Sequence, residues 1–112
     1  MERPATDTSD HRARQLLAIL ADPAAPEGDK DDAAMDLEFF PRTLVEPSLV
    51  RIIREEGYSS VLAQVCAESL AGIWAREDRI DPEFFGELTG PARDEVIGIL
   101  SARAPHLIPF DA

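Results

Sequence analysis

The sequence is poor in the residues from which disulfides, metal centres and phosphate-binding surfaces are built. It has one cysteine, Cys66, so no disulfide can form within the chain and no cysteine cluster can hold a metal. Its 11 basic residues, of which only Lys30 is a lysine, face 22 acidic ones, leaving a net charge of −11. Because phosphate contacts need Lys and Arg, this balance argues against nucleic acids and anionic membranes as partners.

Long apolar runs are also absent. No stretch of the sequence approaches the roughly 18 apolar residues that a membrane-spanning helix needs. The segment Met1–Asp7 lacks the apolar core of a secretion signal. A length of 112 residues suits one small domain. We therefore expect a single domain over residues 1–112, located in the cytoplasm.

A repeat is the most informative feature that the sequence does contain. Asp36–Phe40 reads Asp-Leu-Glu-Phe-Phe, and Asp81–Phe85 reads Asp-Pro-Glu-Phe-Phe, an offset of 45 residues from position 36 to position 81. Solenoids of paired helices repeat about every 40–47 residues. Because the Phe pair recurs at matching positions, we expect both copies to lie in the core.

Apolar residues at helical spacing predict an all-α fold with five or six helices. Residues 1–8 are expected to form a frayed tail, and residues 22–33, which combine prolines with clustered acids, an exposed acidic loop. Ser9 or Asp10 is expected to cap the first helix, and Ser59 or Ser60 the fourth. The predicted helices cover residues 11–21, 33–40, 47–56, 59–76, 81–88 and 92–104.

The fourth predicted helix carries a family resemblance. Val65–Ile73 reads Val-Cys-Ala-Glu-Ser-Leu-Ala-Gly-Ile, and an acidic turn at 77–78 and Pro82 follow it. This pattern resembles the second helix of HEAT-type repeats, over roughly residues 47–104. The resemblance implies a short right-handed α-solenoid of antiparallel helix pairs, a scaffold for protein–protein contact without catalytic residues of its own. Trp74 and the irregular N-terminal repeat depart from the pattern.

The candidate partner-binding residues are mainly acidic. Carboxylates of the acidic segment either form a contact patch for Arg and Lys of a partner or are simply solvated. Gln64 and Glu68 are predicted on the helix face opposite the apolar stripe, and stacked helix pairs usually bind partners on that side. Trp74 is either an interface anchor or a residue of the core edge. The candidate set is Asp29, Asp31, Asp32, Asp36, Gln64, Glu68, Trp74 and Asp78.

No residue pattern indicates a catalytic, metal or cofactor site. A calcium-binding loop counted from Glu27 would need Gly at its sixth position, where the sequence has Asp32. Neither His11 nor His106 is paired with Cys66, which falls on an apolar stripe. Acids adjacent in sequence point about 100° apart on a helix, so they do not converge as an acid–base pair. We therefore expect a protein that is not an enzyme and that uses no metal or cofactor.

Two functions of different classes fit these features. One is an immunity or antitoxin-type inhibitor, a kind of small acidic protein that this chain resembles in character. Such an inhibitor would occlude the active site of a basic effector, for example a nuclease, by mimicking the charge of its substrate. The other is a structural or adaptor repeat protein that self-associates or serves as a subunit of a complex. The salt dependence of binding distinguishes the two functions, because screening by salt weakens charge-steered binding and does not weaken apolar self-association.

Overall fold

The regular structure of this protein consists of helices. The computed structural model describes the backbone of residues 5–110 and the side chains from Asp10 to Phe110. Two 3-10 turns, Leu37–Phe39 and Pro105–Leu107, complete the described part. The all-α class and the expected number of helices are confirmed there, whereas right-handed stacking of helix pairs stays a prediction. The helices are α1 (Ala5–Ala21), α2 (Glu27–Asp36), α3 (Arg42–Glu56), α4 (Val61–Glu77), α5 (Pro82–Glu87) and α6 (Gly90–Arg103).

Helix α4 forms the centre of the fold because it is apolar on almost every side. It contacts α2, α3 and α6, and it exposes only Val61, Glu68 and its C-terminal end. Ser60 caps it, since the Ser60 hydroxyl accepts a hydrogen bond from the Ala63 amide at 3.0 Å. The side chains of Leu70, Ile73 and Trp74 lie in the core. Burial of each large apolar side chain stabilises the folded state by about 1.5–3 kcal/mol.

Helix α3 begins earlier than its sequence suggests. It starts at Arg42 and includes Pro47, which was expected to begin the helix. Proline lacks the N–H that would bond to the carbonyl four residues earlier, that of Thr43, and Thr43 is exposed, so water can satisfy this group. Gly57 ends the helix in the left-handed conformation, with φ of 84°, as its position predicted.

The prediction of an exposed acidic loop over residues 22–33 is wrong, because most of this segment belongs to helix α2. Ala33, Ala34 and the following Leu37 are buried, so the segment is held by packing that its composition does not indicate. Glu27 and Asp29 lie in the first turn of α2, where negative charge interacts favourably with the helix dipole.

The expected cap of the first helix at Ser9 or Asp10 is also wrong, since α1 begins at Ala5. Residues 1–4 of the expected frayed tail lie outside the described residues.

Helices α2 and α4 lie side by side and run in the same direction. Asp31 lines a pocket with Val61 and Leu62. Further along, the Ser69 hydroxyl donates to the Ala34 carbonyl at 2.6 Å. The contacts thus advance in the same direction along both helices and define a seam between them, which we call the α2–α4 seam.

Candidate protein-binding surface

Two exposed apolar side chains lie together at the C-terminal end of α2. Phe39 is 77% exposed and Met35 is 49% exposed, whereas most large apolar side chains of this protein are buried. The two residues are four positions apart, which places them on one side of the chain as α2 passes into the 3-10 turn. Exposed aromatic and methionine side chains that lie together are typical of protein-binding surfaces.

Phe39 is exposed on a turn that is firmly attached to the core. The Arg76 guanidinium donates to the carbonyl oxygens of Glu38 at 2.5 Å and of Phe40 at 2.9 Å. The Glu38 carboxylate lies 3.3 Å from the Arg103 guanidinium. Because these contacts already hold the turn, binding at Phe39 would cost little ordering entropy.

Gly72 allows the turn to approach α4 closely. A Cβ atom at this position would lie 2.6 and 2.7 Å from the two carboxylate oxygens of Glu38. The Glu38 side chain therefore rests directly on the backbone of α4, in space that any other residue would fill. This contact attaches the turn to α4.

The exposed apolar pair borders a groove between α2 and α4. The groove has a volume of about 210 Å³. Its base is held by the buried hydrogen bond from Ser69 to the Ala34 carbonyl. We call it the Phe39 groove, and its lining residues are Met35, Asp36, Glu38, Phe39, Glu68 and Ser69.

Negative charge is concentrated on the α2 side of the Phe39 groove. Helix α2 carries five carboxylates and one lysine, a net charge of −4 over ten residues. Among residues 10–110, none of these five carboxylates, nor that of Glu68, lies within ion-pair distance of an Arg or Lys. Asp29, Asp32 and Asp36 also line a neighbouring depression with Arg12 of α1. A positively charged surface would find complementary charge here.

The structure brings part of the predicted partner-binding set together. Asp36 and Glu68 share the Phe39 groove, and Asp29 and Asp32 lie beside it. Asp31 lies further along the α2–α4 seam.

Two other members of the predicted set have neighbours of their own. The Gln64 amide donates to the Ser59 carbonyl at 3.2 Å. Asp78, with φ of 57°, ends α4 and lies 2.5 Å from Nε2 of His106. Asp78 thus follows α4, ten residues beyond Glu68.

Trp74 is not an interface anchor. Its side chain is fully buried, and its indole Nε1 donates to Oε2 of Glu46 at 2.6 Å. Oε1 of Glu46 accepts a bond from Nε of Arg42 at 2.9 Å, and the Arg42 guanidinium also donates to the Arg79 carbonyl. The indole N–H, which an interface would have to satisfy, is satisfied within the fold.

Sequence reasoning missed Phe39, the more exposed of the two apolar residues of this surface. The repeat predicted that both Phe pairs are core residues, and Phe84 and Phe85 are indeed buried. A signal for the exposed copy is the spacing of Asp32, Met35, Asp36 and Phe39, because positions i, i+3, i+4 and i+7 share one helix face. Acids on that face indicate solvent, so Met35 and Phe39 are expected there too.

The one cysteine is not placed for chemistry. Cys66 is buried, and desolvation raises the pKa of its thiol to about 12, with smaller contributions from Asp31 and Glu56. A thiol with so high a pKa supplies almost no thiolate near neutral pH.

Metal-binding and membrane-spanning features are not found in the described part of the chain. Between residues 10 and 110, no three His, Cys, Asp or Glu side chains lie close enough together to hold a metal ion. None of the helices α1 to α6 has both the length and the apolar character needed to cross a membrane.

Comparison of the chain with protein-family models, with curated proteins and with solved structures finds no match. The HEAT-type resemblance therefore stays a prediction from sequence, and function has to be argued from the surface itself.

Proposed function

We propose that this protein is a non-enzymatic binding protein that recognises a basic protein partner through the surface around the Phe39 groove. The observation that supports this proposal best is the fixed, exposed Phe39 beside Met35. The carboxylates of Asp36 and Glu68 line the same groove, and neither has an ion-pair partner among residues 10–110. Aromatic residues within desolvated contacts carry most of the energy of many interfaces. Carboxylates around such residues select a partner of opposite charge.

Charge and apolar contact have separate roles in this proposal. The net charge of −11 would accelerate encounter with a basic protein and disfavour acidic ones. Burial of Phe39 and Met35 would then slow dissociation, and a fully buried side chain of this size contributes about 1.5–3 kcal/mol. The proposal therefore predicts that added salt lowers the association rate and that loss of the Phe39 side chain raises the dissociation rate.

In its most specific form, the proposal is an immunity or antitoxin-type inhibitor in the cytoplasm. The acidic face of α2 would occupy the part of a basic effector, such as a nuclease, that normally binds a polyanionic substrate. Inhibition by occlusion needs no catalytic residue, which agrees with the buried and unreactive environment of Cys66. A HEAT-like stack of helix pairs would supply the rigid support for this face.

Self-association through the same groove is the competing function, and the charges oppose it. Two copies meeting at the Phe39 groove would bring together two α2 helices that each carry a net charge of −4. Like charges that face each other across an interface are destabilising. Salt would therefore strengthen self-association and weaken binding to a basic partner, so the two functions predict opposite salt effects.

The experiment that tests the proposal is capture from a lysate of the native host, at low and at high salt. Three tagged baits are compared: the wild type, the variant Asp32→Asn/Asp36→Asn/Glu68→Gln, and the matched control Glu83→Gln/Asp94→Asn/Glu95→Gln. Both variants remove three negative charges, but the control removes them from α5 and α6.

We expect the wild type and the control to retain one basic protein at low salt, and the α2–α4 variant to lose it. Equal retention by all three baits would contradict the assigned surface. Recovery of bait alone, as an oligomer that grows with salt, would favour self-association.

A further inference from the structure

A third exposed apolar residue lies on the α2–α4 seam, at the end away from Met35 and Phe39. Val61, the first residue of α4, is 63% exposed. It borders a pocket of about 180 Å³. The two ends of the seam thus share one arrangement, an exposed apolar side chain beside carboxylates. The pocket, which we call the Val61 pocket, is lined by Glu27, Lys30, Asp31, Glu56, Ser60, Val61 and Leu62.

The exposed strip of α4 joins the Val61 pocket to the Phe39 groove. Val61, Val65 and Glu68 are spaced at i, i+4 and i+7, so they share one face of α4. Val61 and Glu68 are exposed, and Val65 is half-buried. On the other side of the seam, α2 contributes Asp31 to the pocket and Met35 to the groove. The seam is therefore one surface with apolar points at both ends and acids between and beside them.

The length of this surface selects the secondary structure that fits it. From Val61 to Glu68 the helix rises seven residues, about 10.5 Å at about 1.5 Å per residue. A partner helix lying along the seam covers this distance in seven residues, and residues i and i+7 point in almost the same direction. An extended strand covers it in about three residues, and residues i and i+3 of a strand point to opposite sides. Of these two conformations, the helix is the one that places one apolar side chain at each end.

We propose that the α2–α4 seam binds an amphipathic, basic α-helix of the partner protein. This inference rests on the proposed function and adds the form of the partner. The helix presents two apolar residues seven positions apart, one to Val61 and one to Met35 and Phe39. Arg or Lys residues between and beside them face the carboxylates of Asp31, Asp36 and Glu68.

Charge complementarity distinguishes this occupant from a second copy of the chain. Helix α1 carries only two arginines, Arg12 and Arg14, and the arginines of α3 and α6 share their helices with acids. Arg54 and Arg103 are also paired, with Glu87 and Glu38. The seam itself carries the uncompensated acids of α2. A foreign basic helix satisfies these charges, and another copy of this protein does not.

Two synthetic peptides of identical composition test the proposal. Both are alanine-based helices with four Arg and two Leu residues. The Leu residues are seven positions apart in the test peptide and five apart in the control, where they point about 140° away from each other. Binding of each fluorescently labelled peptide is measured by anisotropy against the wild type, Val61→Ser and, as a control outside the seam, Phe110→Ser. Because Val61 and Phe110 are exposed, both variants should fold.

We expect the test peptide to bind the wild type about tenfold more tightly than the control peptide, the equivalent of one partly buried aliphatic contact. Val61→Ser should remove this difference, and Phe110→Ser should preserve it. Equal binding of the two peptides, no effect of Val61→Ser, or no binding of either peptide would overturn the inference. The proposed function fails separately, if the wild-type bait captures no basic protein from the host lysate.

Discussion

Replacement of Glu46 by alanine tests how the core holds its polar groups. The Glu46 carboxylate accepts bonds from the Trp74 indole at 2.6 Å and from the Arg42 guanidinium at 2.9 Å. The side chains of Arg42 and Glu46 are 8% and 19% exposed, so water cannot easily replace the lost carboxylate. Glu46→Ala leaves a buried indole N–H without an acceptor and leaves Arg42 with only the Arg79 carbonyl.

The expected cost follows from these two losses. Breaking a buried ion pair by removal of one partner costs about 3–5 kcal/mol. The lower end applies here, about 3 kcal/mol, because Glu46 retains some contact with water and Arg42 keeps one acceptor. With a urea slope of about 1.5 kcal/mol per molar, the midpoint of unfolding falls by about 2 M. Glu46→Gln keeps one acceptor and should lose about half as much free energy.

The assay is urea unfolding followed by circular dichroism, with Glu87→Ala as the matched control. Glu87 also pairs with an arginine, Arg54, but in this pair the side chains are 40% and 51% exposed. Exposed ion pairs contribute little, so Glu87→Ala should shift the midpoint by a small fraction of the Glu46→Ala shift. Equal shifts for the two variants would show that the Arg42–Glu46–Trp74 cluster does not stabilise the core.

Three further predictions concern other features of the structure. Cys66, with a pKa of about 12, should react with an aromatic disulfide at pH 8 at least about a thousandfold more slowly in the native protein than in urea, and rapid native labelling would contradict its burial. The hydrogen bond from Arg54 lowers the pKa of Glu87 below its ordinary value of 4.5, so the stabilisation it provides is present above pH 4.5 and is lost as the pH falls through the lower, folded-state value. The difference in urea midpoint between wild type and Glu87→Gln should shrink accordingly, and a difference that grows towards acid pH would contradict this sign. Gly72→Ala should displace the Glu38 carboxylate and weaken partner binding at the Phe39 groove. The free energy of unfolding should change little, because the higher helix propensity of alanine, up to about 1 kcal/mol, offsets the lost contact. Unchanged binding would show that the turn does not depend on this contact.

The parts of the fold that the sequence predicts well are those in which local signals agree. The fourth predicted helix, residues 59–76, lies within two residues of α4, because a serine cap precedes a long run of apolar and small residues. Gly57 likewise ends α3 as predicted. Helix α2 could not be predicted this way, since its segment has clustered acids and only Ala33, Ala34 and Leu37 to pack. Burial against α4, a tertiary effect, overrides the local preference there.

The two Phe motifs show why the exposure of Phe39 could not be predicted from the sequence. In the second copy Pro82 keeps Asp81 extended, with φ of −98° and ψ of 102°, and Asp81 caps the new helix α5. In the first copy Leu37 replaces the proline, and Asp36 continues α2 with helical φ of −67° and ψ of −28°. The repeated motif therefore lies at the end of helix α2 in the first copy and at the start of helix α5 in the second copy. Phe84 consequently points into the core and Phe39 points to solvent.

Half of the candidate site was therefore accessible from the sequence. The cluster of acids identified Asp32 and Asp36, and the position opposite the apolar stripe of the fourth predicted helix identified Glu68, because charged residues on such a face have to meet solvent. The apolar half could not be identified, since Phe39 and the buried Trp74 differ in their tertiary surroundings and not in their type. An aromatic residue beside an apolar stripe is compatible with either the core or an interface.

The most direct test of the central claim is capture of the partner with Phe39→Ser and Phe110→Ser as parallel baits at low salt. Both residues are exposed, so neither substitution should unfold the protein, but only Phe39 lies in the groove between α2 and α4. We predict that the wild type and Phe110→Ser retain the same basic protein and that Phe39→Ser loses it. Retention by Phe39→Ser at the wild-type level, or loss with Phe110→Ser alone, would contradict the claim that this surface binds the partner.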